Sequence, residues 1–390
     1  MSEPLVLPGY LGLRLLAIGI DGFWKPWIEG AQTRDDPQIR FVPTCRQALR
    51  SLVSASPPFS HVLLQSSCSP DQMDELFRLT SGDAGSPTRL LVLGQTTQPT
   101  VVGMRGKCIA VSNNQAPKLR DILHQEARPL QAAGSIDFSA TDLLSLIASD
   151  ALEIRYQPIV RLEDRRPMAC EALARIYHPV HGMLSAHQFV PLVEKLGFSP
   201  VLTQAVGGRM MRDMAASILG NVLTTGINFS LDVMLIDGTL DILDAQRQAA
   251  GIAVEQVMIE LTESRPPQDF PALRRALDRL RRAGYGIALD DAAPSVPHLK
   301  ELLDLPFTAV KLDKSIIHYS QPSDRTATYI SRLIDACKSR NLLVIAEGAE
   351  QEGDLLRMKA MGADWAQGYR IARPLPASAL PIWREAWNCP

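Results

Sequence analysis

The sequence predicts an α/β protein of two domains, a small doubly wound N-terminal domain and a C-terminal (β/α)8 TIM-like barrel. The chain has 390 residues, enough for two or three domains of roughly 100–200 residues each. Hydrophobic residues make up 46% of it and charged residues 21%, as in ordinary globular proteins. Short apolar runs alternate with helical patterns along most of the chain, and this alternation is typical of α/β folds.

The N-terminal domain, residues 1–126, is predicted from five short runs rich in branched aliphatic residues. These candidate strands are residues 14–20, 38–42, 61–64, 88–93 and 107–111. Residues 45–55 and 71–79 carry apolar side chains at helical spacing. Because strands and helices alternate, we expect a doubly wound sheet.

In strand count, order and size this domain resembles the receiver domain of two-component signalling. The resemblance places a phosphate-accepting aspartate at the end of the third strand, where the chain has Gln65 and Ser66. Of the expected acidic pair only Asp21 is present, and residues 112–114 lack the expected lysine. The resemblance implies a degenerate receiver-like domain without phosphoryl chemistry, which regulates the barrel or recruits a protein partner. A different small α/β module is the alternative.

Residues 127–139 are predicted to be a linker and residues 140–390 to form the barrel domain. After a predicted helix at residues 142–152, eight strand-like runs follow, most of them separated by helical stretches. They are residues 155–160, 170–176, 226–230, 257–262, 286–290, 309–312, 342–346 and 365–371. In such barrels the catalytic groups gather at the C-terminal ends of the strands.

Polar residues recur in or just beyond these eight strands. They are Glu171, Asn228, Glu260, Asp290, Asp291, Lys311, Glu347 and Gln367. One acidic residue at a strand end is ordinarily a solvated or salt-bridged structural group. Five carboxylates at one barrel mouth, however, would repel one another unless cations lie among them. Carboxylate and amide oxygens suit Mg²⁺ or Mn²⁺.

The adjacent Asp290 and Asp291 suit two ions, an arrangement that activates water for in-line attack at phosphorus. Hydrolysis of a phosphodiester is the chemistry that this favours. Lys311 would hold the attacking water or stabilise charge on the phosphoryl oxygens. Glu347 would act as a general base or complete the metal shell.

The order of motifs around these residues resembles the EAL family, bacterial phosphodiesterases that cleave the second messenger cyclic di-GMP to linear pGpG. The tripeptide that names the family is Glu171-Ala172-Leu173. It lies within an ordered series that covers about residues 140–380. The series includes Tyr-Gln-Pro-Ile-Val at 156–160, Asn-Phe-Ser at 228–230, Glu-Leu-Thr-Glu at 260–263, Lys-Leu-Asp at 311–313, Ala-Glu-Gly-Ala-Glu at 346–350 and Gln-Gly-Tyr at 367–369.

The resemblance implies a role for each matched residue. The implied ligands of one or two Mg²⁺ or Mn²⁺ ions are Glu171, Asn228, Glu260, Asp290 and Asp291. Lys311 and Glu347 are the implied catalytic residues. The implied contacts to cyclic di-GMP are Gln157, Arg175 and Gln367, and Glu263 is implied to order the loop after the fifth strand.

That loop departs from the family pattern. Active members usually follow the aspartate pair with a sequence close to Phe-Gly-Thr-Gly-Tyr-Ser-Ser, which links the metal site to the dimer interface. Residues 292–298 here read Ala-Ala-Pro-Ser-Val-Pro-His, so two prolines are gained, both glycines are lost and the backbone is stiffer. One interpretation is an active phosphodiesterase with altered dimerisation or regulation, whose activity is low if this loop limits turnover. The others are a receptor that binds cyclic di-GMP without efficient hydrolysis, and a fold that only binds proteins.

Composition and charge argue against several classes of partner and location. Forty basic against 42 acidic residues give a net charge of -2, so no overall basic surplus attracts nucleic acid. Apolar runs are shorter than the roughly 20 residues of a bilayer span, and residues 1–8 do not fit a secretory signal. We therefore expect a cytoplasmic protein without a membrane span, and a homodimer by analogy with the family. Six cysteines without close pairs predict free thiols.

Overall fold

The computed structural model describes residues 14–30, 39–54, 59–65, 70–80, 88–94, 108–119, 122–123, 138–178, 181–216, 223–262, 269–293, 298–315 and 324–387. The chain divides into two compact units, residues 1–136 with 179–183 and residues 137–178 with 184–390. Most of the predicted linker, 127–139, lies outside the described residues, as does Glu263.

The N-terminal unit contains a five-stranded parallel sheet, and all five predicted strands are confirmed. The strands are β1 (Leu15–Ile18), β2 (Ile39–Val42), β3 (His61–Leu64), β4 (Arg89–Leu93) and β5 (Cys108–Val111). Their order is β2-β1-β3-β4-β5, which is a doubly wound order. The helices are α1 (Lys25–Gly30), α2 (Cys45–Ser54) and α3 (Pro70–Thr80), with a 3-10 helix at Asn113–Lys118.

Burial explains why these strands are continuous apolar runs. Every residue of β1 and β3 is buried, as expected for parallel strands covered on both faces. At the carboxyl edge of the sheet, Gln65 Nε2 donates to Asp21 Oδ2 over 2.5 Å and Gln65 Oε1 accepts from the Asp21 N–H over 2.8 Å. These two side chains therefore satisfy each other.

The second unit is a closed barrel of eight strands, at the positions that the sequence predicts. The barrel strands are β6 (Leu152–Arg161), β7 (Pro167–His178), β9 (Thr224–Ser230), β10 (Val257–Thr262), β11 (Gly286–Ala292), β12 (Ala309–Leu312), β13 (Leu343–Ala346) and β14 (Trp365–Gln367). Two short strands, β8 (Gly182–Ser185) and β15 (Leu375–Pro376), extend the sheet. Pairing of β6 with both β7 and β14 closes the barrel.

Helices follow most of the parallel strands. They are α4 (Ala140–Ala148), α5 (Ala186–Lys195), α6 (Ser199–Ala215), α7 (Leu231–Met234), α8 (Thr239–Ala249), α9 (Phe270–Ala283), α10 (Leu299–Leu303), α11 (Asp324–Lys338), α12 (Glu352–Ala360) and α13 (Leu380–Trp387). Short 3-10 helices occur at Val254–Gln256 and Ala377–Ala379. Sequence signals set the ends of α9, because Asp269 accepts the Ala272 N–H at its start and Gly284, with φ of 101°, follows its end.

The first barrel strand departs from the regular (β/α)8 pattern, since β6 is antiparallel to both of its neighbours. Only residues 162–166 join β6 to β7, whereas a parallel crossover takes a dozen residues or more. In this turn Arg165 has φ of 64°, and Asp164 accepts both the Arg166 N–H and the Arg161 guanidinium. A hairpin therefore replaces the first helical crossover.

A layer of apolar side chains fills the barrel below the polar residues. It consists of Ile159, Ala169, Met258, Ala288, Ala309 and Ile345. These residues come from six different strands, as expected of a packed barrel interior. The polar groups of the same strands are thereby left at the carboxyl end of the barrel.

The cysteine prediction is wrong at one position. Cys45 is disulfide-bonded, whereas Cys170 and Cys337 are free. In the part of the chain that the structure describes, no helix has the length and apolar character needed to cross a membrane.

Candidate active site

The barrel brings the eight predicted polar residues to neighbouring strands. Glu171 lies on β7, Asn228 on β9, Glu260 on β10, Asp290 and Asp291 on β11, and Lys311 on β12. Glu347 directly follows β13, and Gln367 ends β14. In the pairing register Glu260 stands opposite Asn228. Seven strands, β7 and β9 to β14, run parallel, so these residues share one end of the barrel.

Lys311 is the centre of the cluster. Its side chain is 1% exposed, and its Nζ atom contacts one oxygen of each of four carboxylates. The distances are 3.2 Å to Glu171 Oε2, 2.8 Å to Glu260 Oε2, 2.9 Å to Asp290 Oδ1 and 2.7 Å to Glu347 Oε1. One ammonium group thus faces four acidic groups in a buried space.

Two side-chain amides complete the contacts of Glu171. Asn228 Nδ2 donates to Glu171 Oε1 over 2.8 Å, and Gln367 Nε2 donates to Glu171 Oε2 over 2.8 Å. Gln367 Nε2 also donates to Gln157 Oε1 over 3.1 Å. These donors fix the orientation of the Glu171 carboxylate, which is a precondition for a defined ligand or reactant geometry.

Glu171 and Lys311 are held in their charged forms. Burial alone would raise the pKa of Glu171, but Lys311 and the two amide donors outweigh it, so this pKa is lowered. Burial alone would lower the pKa of Lys311, but the four surrounding carboxylates raise it well above its ordinary value. The ion pair between these two residues is therefore retained across the neutral range.

The other carboxylates would together carry more negative charge than a single ammonium group can neutralise. Burial, together with neighbouring carboxylates, raises the pKa of Glu260 well above its ordinary value and raises that of Asp290. The same causes raise the pKa of Glu347 to about 8 and that of the partly exposed Asp291 to about 6. Close carboxylates that cannot all ionise call for further positive charge.

The donor set fits a divalent cation. Ligand oxygens of Glu171, Glu260 and Asp290 lie within 4.8 Å of one another, and so do those of Asp290, Asp291 and Glu347. The buried atom Glu260 Oε1 has no hydrogen-bond partner among the described residues. Hard oxygen donors of this kind suit Mg²⁺ or Mn²⁺. Asp290 belongs to both groups.

Of the other predicted site residues, the structure describes Gln157 and Arg175. Gln157 reaches the cluster through Gln367, and its Nε2 atom donates to the Ala372 carbonyl over 3.2 Å. Arg175 is buried on β7, four residues beyond Glu171, and its Nη1 atom donates to the Ala174 carbonyl over 2.8 Å. Glu263 and residues 294–297 of the altered loop lie outside the described residues.

Two glycines that shape the site were missed in the sequence. A Cβ atom at Gly226 would overlap Glu260 Oε1, so the bare backbone provides the space for this carboxylate. A Cβ atom at Gly368, whose φ is 155°, would overlap the backbone of Ala349. At Gly368 the segment that carries Gln367 therefore passes close to the segment that carries Glu347. The signal in the sequence was a glycine close to Asn228 and another next to Gln367, since a glycine in or beside a strand often marks a close approach.

The fold and the cluster define a class, that of closed eight-stranded barrels with a lysine-centred acidic site at the carboxyl ends of the strands. Residues 140–374 match the EAL domain family. The chain therefore belongs to the EAL family, and the resemblance in its motifs is confirmed.

Two curated relatives and one solved structure illustrate the match. An uncharacterized signalling protein of Caulobacter vibrioides is 33% identical over 251 residues, which cover 63% of this chain and 30% of that protein. Cyclic di-GMP phosphodiesterase NbdA of Pseudomonas aeruginosa is 30% identical over 252 residues, covering 63% of this chain and 32% of NbdA. The PaMucR phosphodiesterase in complex with c-di-GMP is 28% identical, with a TM-score of 0.58, and the match covers 62% of this chain and 98% of that one. The chain thus spans about a third of the length of these curated relatives.

Proposed function

We propose that this chain hydrolyses cyclic di-GMP to linear pGpG, with Mg²⁺ or Mn²⁺ bound among the carboxylates of the barrel. The observation that carries the proposal is the convergence of four carboxylates on Lys311, with Asn228 and Gln367 beside them. NbdA is named a cyclic di-GMP phosphodiesterase, and the PaMucR structure is a complex with this dinucleotide. The barrel is the part that this chain shares with the EAL family.

Each acidic residue has a proposed place around the ions. Glu171, Asn228, Glu260 and Asp290 would hold one cation, and Asp290 with Asp291 would hold a second. When bound, such ions stabilise charge on the phosphoryl oxygens and make a water molecule more acidic. The first group follows one oxygen cluster and adds the amide of Asn228, whose hydrogen bond joins it to Glu171. The second group follows the other oxygen cluster without Glu347, which is proposed as the base.

The chain's own residues then act on water and phosphate. Glu347 is the most exposed of the four carboxylates around Lys311, at 19%, so it is the one best placed to accept a proton from solvent water. The water oxygen bonds to phosphorus, the bond from phosphorus to the 3′ oxygen breaks, and that oxygen gains a proton. Lys311 holds the carboxylates in place and stabilises negative charge in the transition state.

Three further residues are proposed to bind the dinucleotide. Gln157 and Gln367 are hydrogen-bonded to each other next to Glu171. Arg175 can bind a phosphate through its planar guanidinium group. Glu263 is proposed to order the loop after Asp291.

The experiment is product analysis with a matched pair of variants. Purified protein is incubated with cyclic di-GMP in Mg²⁺ or Mn²⁺, and pGpG is measured by chromatography. Glu171→Gln removes one charge from the buried cluster, whereas Glu194→Gln removes one from the exposed surface of α5. We expect turnover by wild type and Glu194→Gln that is lost in Glu171→Gln and on addition of EDTA. Wild-type protein that forms no pGpG in either metal would overturn the proposal.

A receptor without efficient hydrolysis is the second candidate, and one observation favours it. Two prolines lie in residues 292–298, directly after the aspartate pair. Proline fixes φ and removes a backbone donor, so this loop is restrained where active relatives have glycine. Saturable binding of cyclic di-GMP by calorimetry, without turnover in either metal, would establish this function instead. Neither binding nor turnover would leave a protein-interaction module.

The role of the N-terminal domain, the oligomeric state and the location of the chain remain predictions. We propose that the N-terminal domain regulates the barrel or recruits a protein partner, and that the chain acts as a homodimer in the cytoplasm. Gel filtration with light scattering at several concentrations measures the oligomeric state, and a monomer throughout would contradict the dimer.

A further inference from the structure

Tyr369 and Arg373 follow Gln367 closely in the chain. Tyr369 lies two residues beyond Gln367 and is 38% exposed. Arg373 places its guanidinium 4.2 Å from the centre of the Tyr369 ring. A cation at this distance is attracted to an aromatic face, so the pair is held together next to the end of β14.

The backbone between these residues is anchored to the site. The Ala349 N–H donates to the Gln367 carbonyl over 3.1 Å, and the Ala372 N–H donates to the Gly368 carbonyl over 3.1 Å. Gln157 Nε2 donates to the Ala372 carbonyl over 3.2 Å. The turn that carries Tyr369 is therefore bonded to Gln157, whose side chain accepts a hydrogen bond from the Glu171 partner Gln367.

The Arg373 guanidinium and the Tyr369 hydroxyl are available to a ligand. Among the described residues, Arg373 has no carboxylate partner and the Tyr369 hydroxyl has no hydrogen-bond partner. The neighbouring Arg370, by contrast, lies 3.0 Å from Glu352 Oε2. Within the site itself, Gln367 is 3% exposed, and its Oε1 atom has no hydrogen-bond partner in the described part of the chain. Among the described residues, an arginine without a carboxylate partner, an exposed ring and a buried acceptor without a donor thus lie in the segment 367–373.

We propose that Tyr369, supported by Arg373, is the platform on which one purine base of the dinucleotide stacks. The inference rests on the proposed function, because it assigns a base-binding role beside the same site. Every base has a π-face, and its stacking on an aromatic side chain contributes substantially to binding. Arg373 attracts a phosphate of the dianionic ligand, which the surrounding carboxylates would otherwise repel.

The test separates base binding from phosphoryl chemistry. Cyclic di-GMP carries purine bases, whereas bis(p-nitrophenyl) phosphate carries a phosphodiester without them. For Tyr369→Leu we expect KM for cyclic di-GMP to rise about 5- to 100-fold with kcat kept within about twofold, since stacking contributes about 1–3 kcal/mol per base. Hydrolysis of bis(p-nitrophenyl) phosphate should not change. Tyr369→Trp, which keeps an aromatic face, should retain a KM near that of the wild type.

Arg373→Gln and Arg370→Gln form the matched pair of arginine variants. We expect Arg373→Gln to raise KM and Arg370→Gln to leave it unchanged. An unchanged KM in Tyr369→Leu, an equal effect of the two arginine variants, or an equal loss of activity towards both substrates would each overturn the inference.

A failure of the proposed function is distinguishable from a failure of this inference. If wild type binds cyclic di-GMP without turnover, dissociation constants measured by calorimetry replace KM. A 5- to 100-fold weaker complex in Tyr369→Leu would then support the platform, and an unchanged one would overturn it. If wild type does not bind the dinucleotide, both the proposed hydrolysis and the proposed stacking on Tyr369 are overturned.

Discussion

Replacing Lys311 by methionine removes the one positive charge that four carboxylates share. The Nζ atom lies within 3.2 Å of an oxygen of each of them, and methionine keeps a similar volume without the ammonium group. Removing one partner of a buried ion pair costs about 3–5 kcal/mol, because the remaining charge is left uncompensated. For a domain of this size each kcal/mol lowers the melting temperature by about 2–4 °C. We therefore expect Lys311→Met in EDTA to unfold roughly 6–20 °C below the wild type.

The pH dependence of this deficit and the response of the variant to metal test its electrostatic cause. The deficit should shrink as the pH falls from 8 to 5, since protonation removes the repulsion that the missing ammonium group leaves. Saturating Mg²⁺ should raise the melting temperature of Lys311→Met above its value in EDTA, because a ligand at 100 times its Kd stabilises the folded state by about 2.7 kcal/mol.

The control is Lys338→Met, which breaks a surface ion pair with Asp364. Exposed pairs contribute about 0–1 kcal/mol, so this variant should melt close to the wild type. The assay is thermal unfolding of the full chain followed by circular dichroism. A melting temperature of Lys311→Met equal to that of the wild type in EDTA at pH 8 would refute the reasoning.

Three further outcomes follow from the structure. In the metal-free protein Glu347 keeps its proton up to about pH 8, against an ordinary pKa of 4.5, so the folded state binds more protons than the unfolded chain between these values. The free energy of unfolding should therefore fall as the pH rises through this window, and Mg²⁺ should remove the slope; a rise in urea titrations without metal would contradict this. Gly368→Ala should lower kcat by about 100-fold or more, because its Cβ overlaps neighbouring backbone and a misplacement of about 1 Å can cost that much. Gly353→Ala, whose Cβ meets only one side-chain atom at 3.8 Å, should be neutral, and equal rates in the two variants would show that the close approach is irrelevant. Acetyl phosphate should change neither the mass nor the activity of the protein, since Gln65 and Asp21 are hydrogen-bonded to each other; a stoichiometric phosphoaspartate in the mass spectrum would contradict this.

The strands of both units were predictable because parallel strands buried on both faces are short, continuous apolar runs. The run His61–Leu64, for example, has every side chain buried, so its pattern is unambiguous. The antiparallel direction of β6 was not predicted. The signal existed, since nine residues separate the predicted runs 155–160 and 170–176, fewer than a parallel crossover takes.

The candidate site was predictable in part. Carboxylates at strand ends are visible in sequence, and barrel closure brings them together. The four contacts of Lys311 were not predictable, because they depend on how side chains from β7, β10, β11 and the end of β13 meet across the barrel. The role of Gly226 was missed for a related reason, since its space is defined by Glu260 on the neighbouring strand.

Hydrolysis of cyclic di-GMP in ¹⁸O-labelled water with Mn²⁺ tests whether this site directs water to attack phosphorus. Attack of water at phosphorus predicts pGpG with one ¹⁸O atom in its 5′-phosphate, formed by wild type and not by Glu171→Gln. Absence of pGpG from the wild-type reaction, or pGpG without the label, would contradict the account.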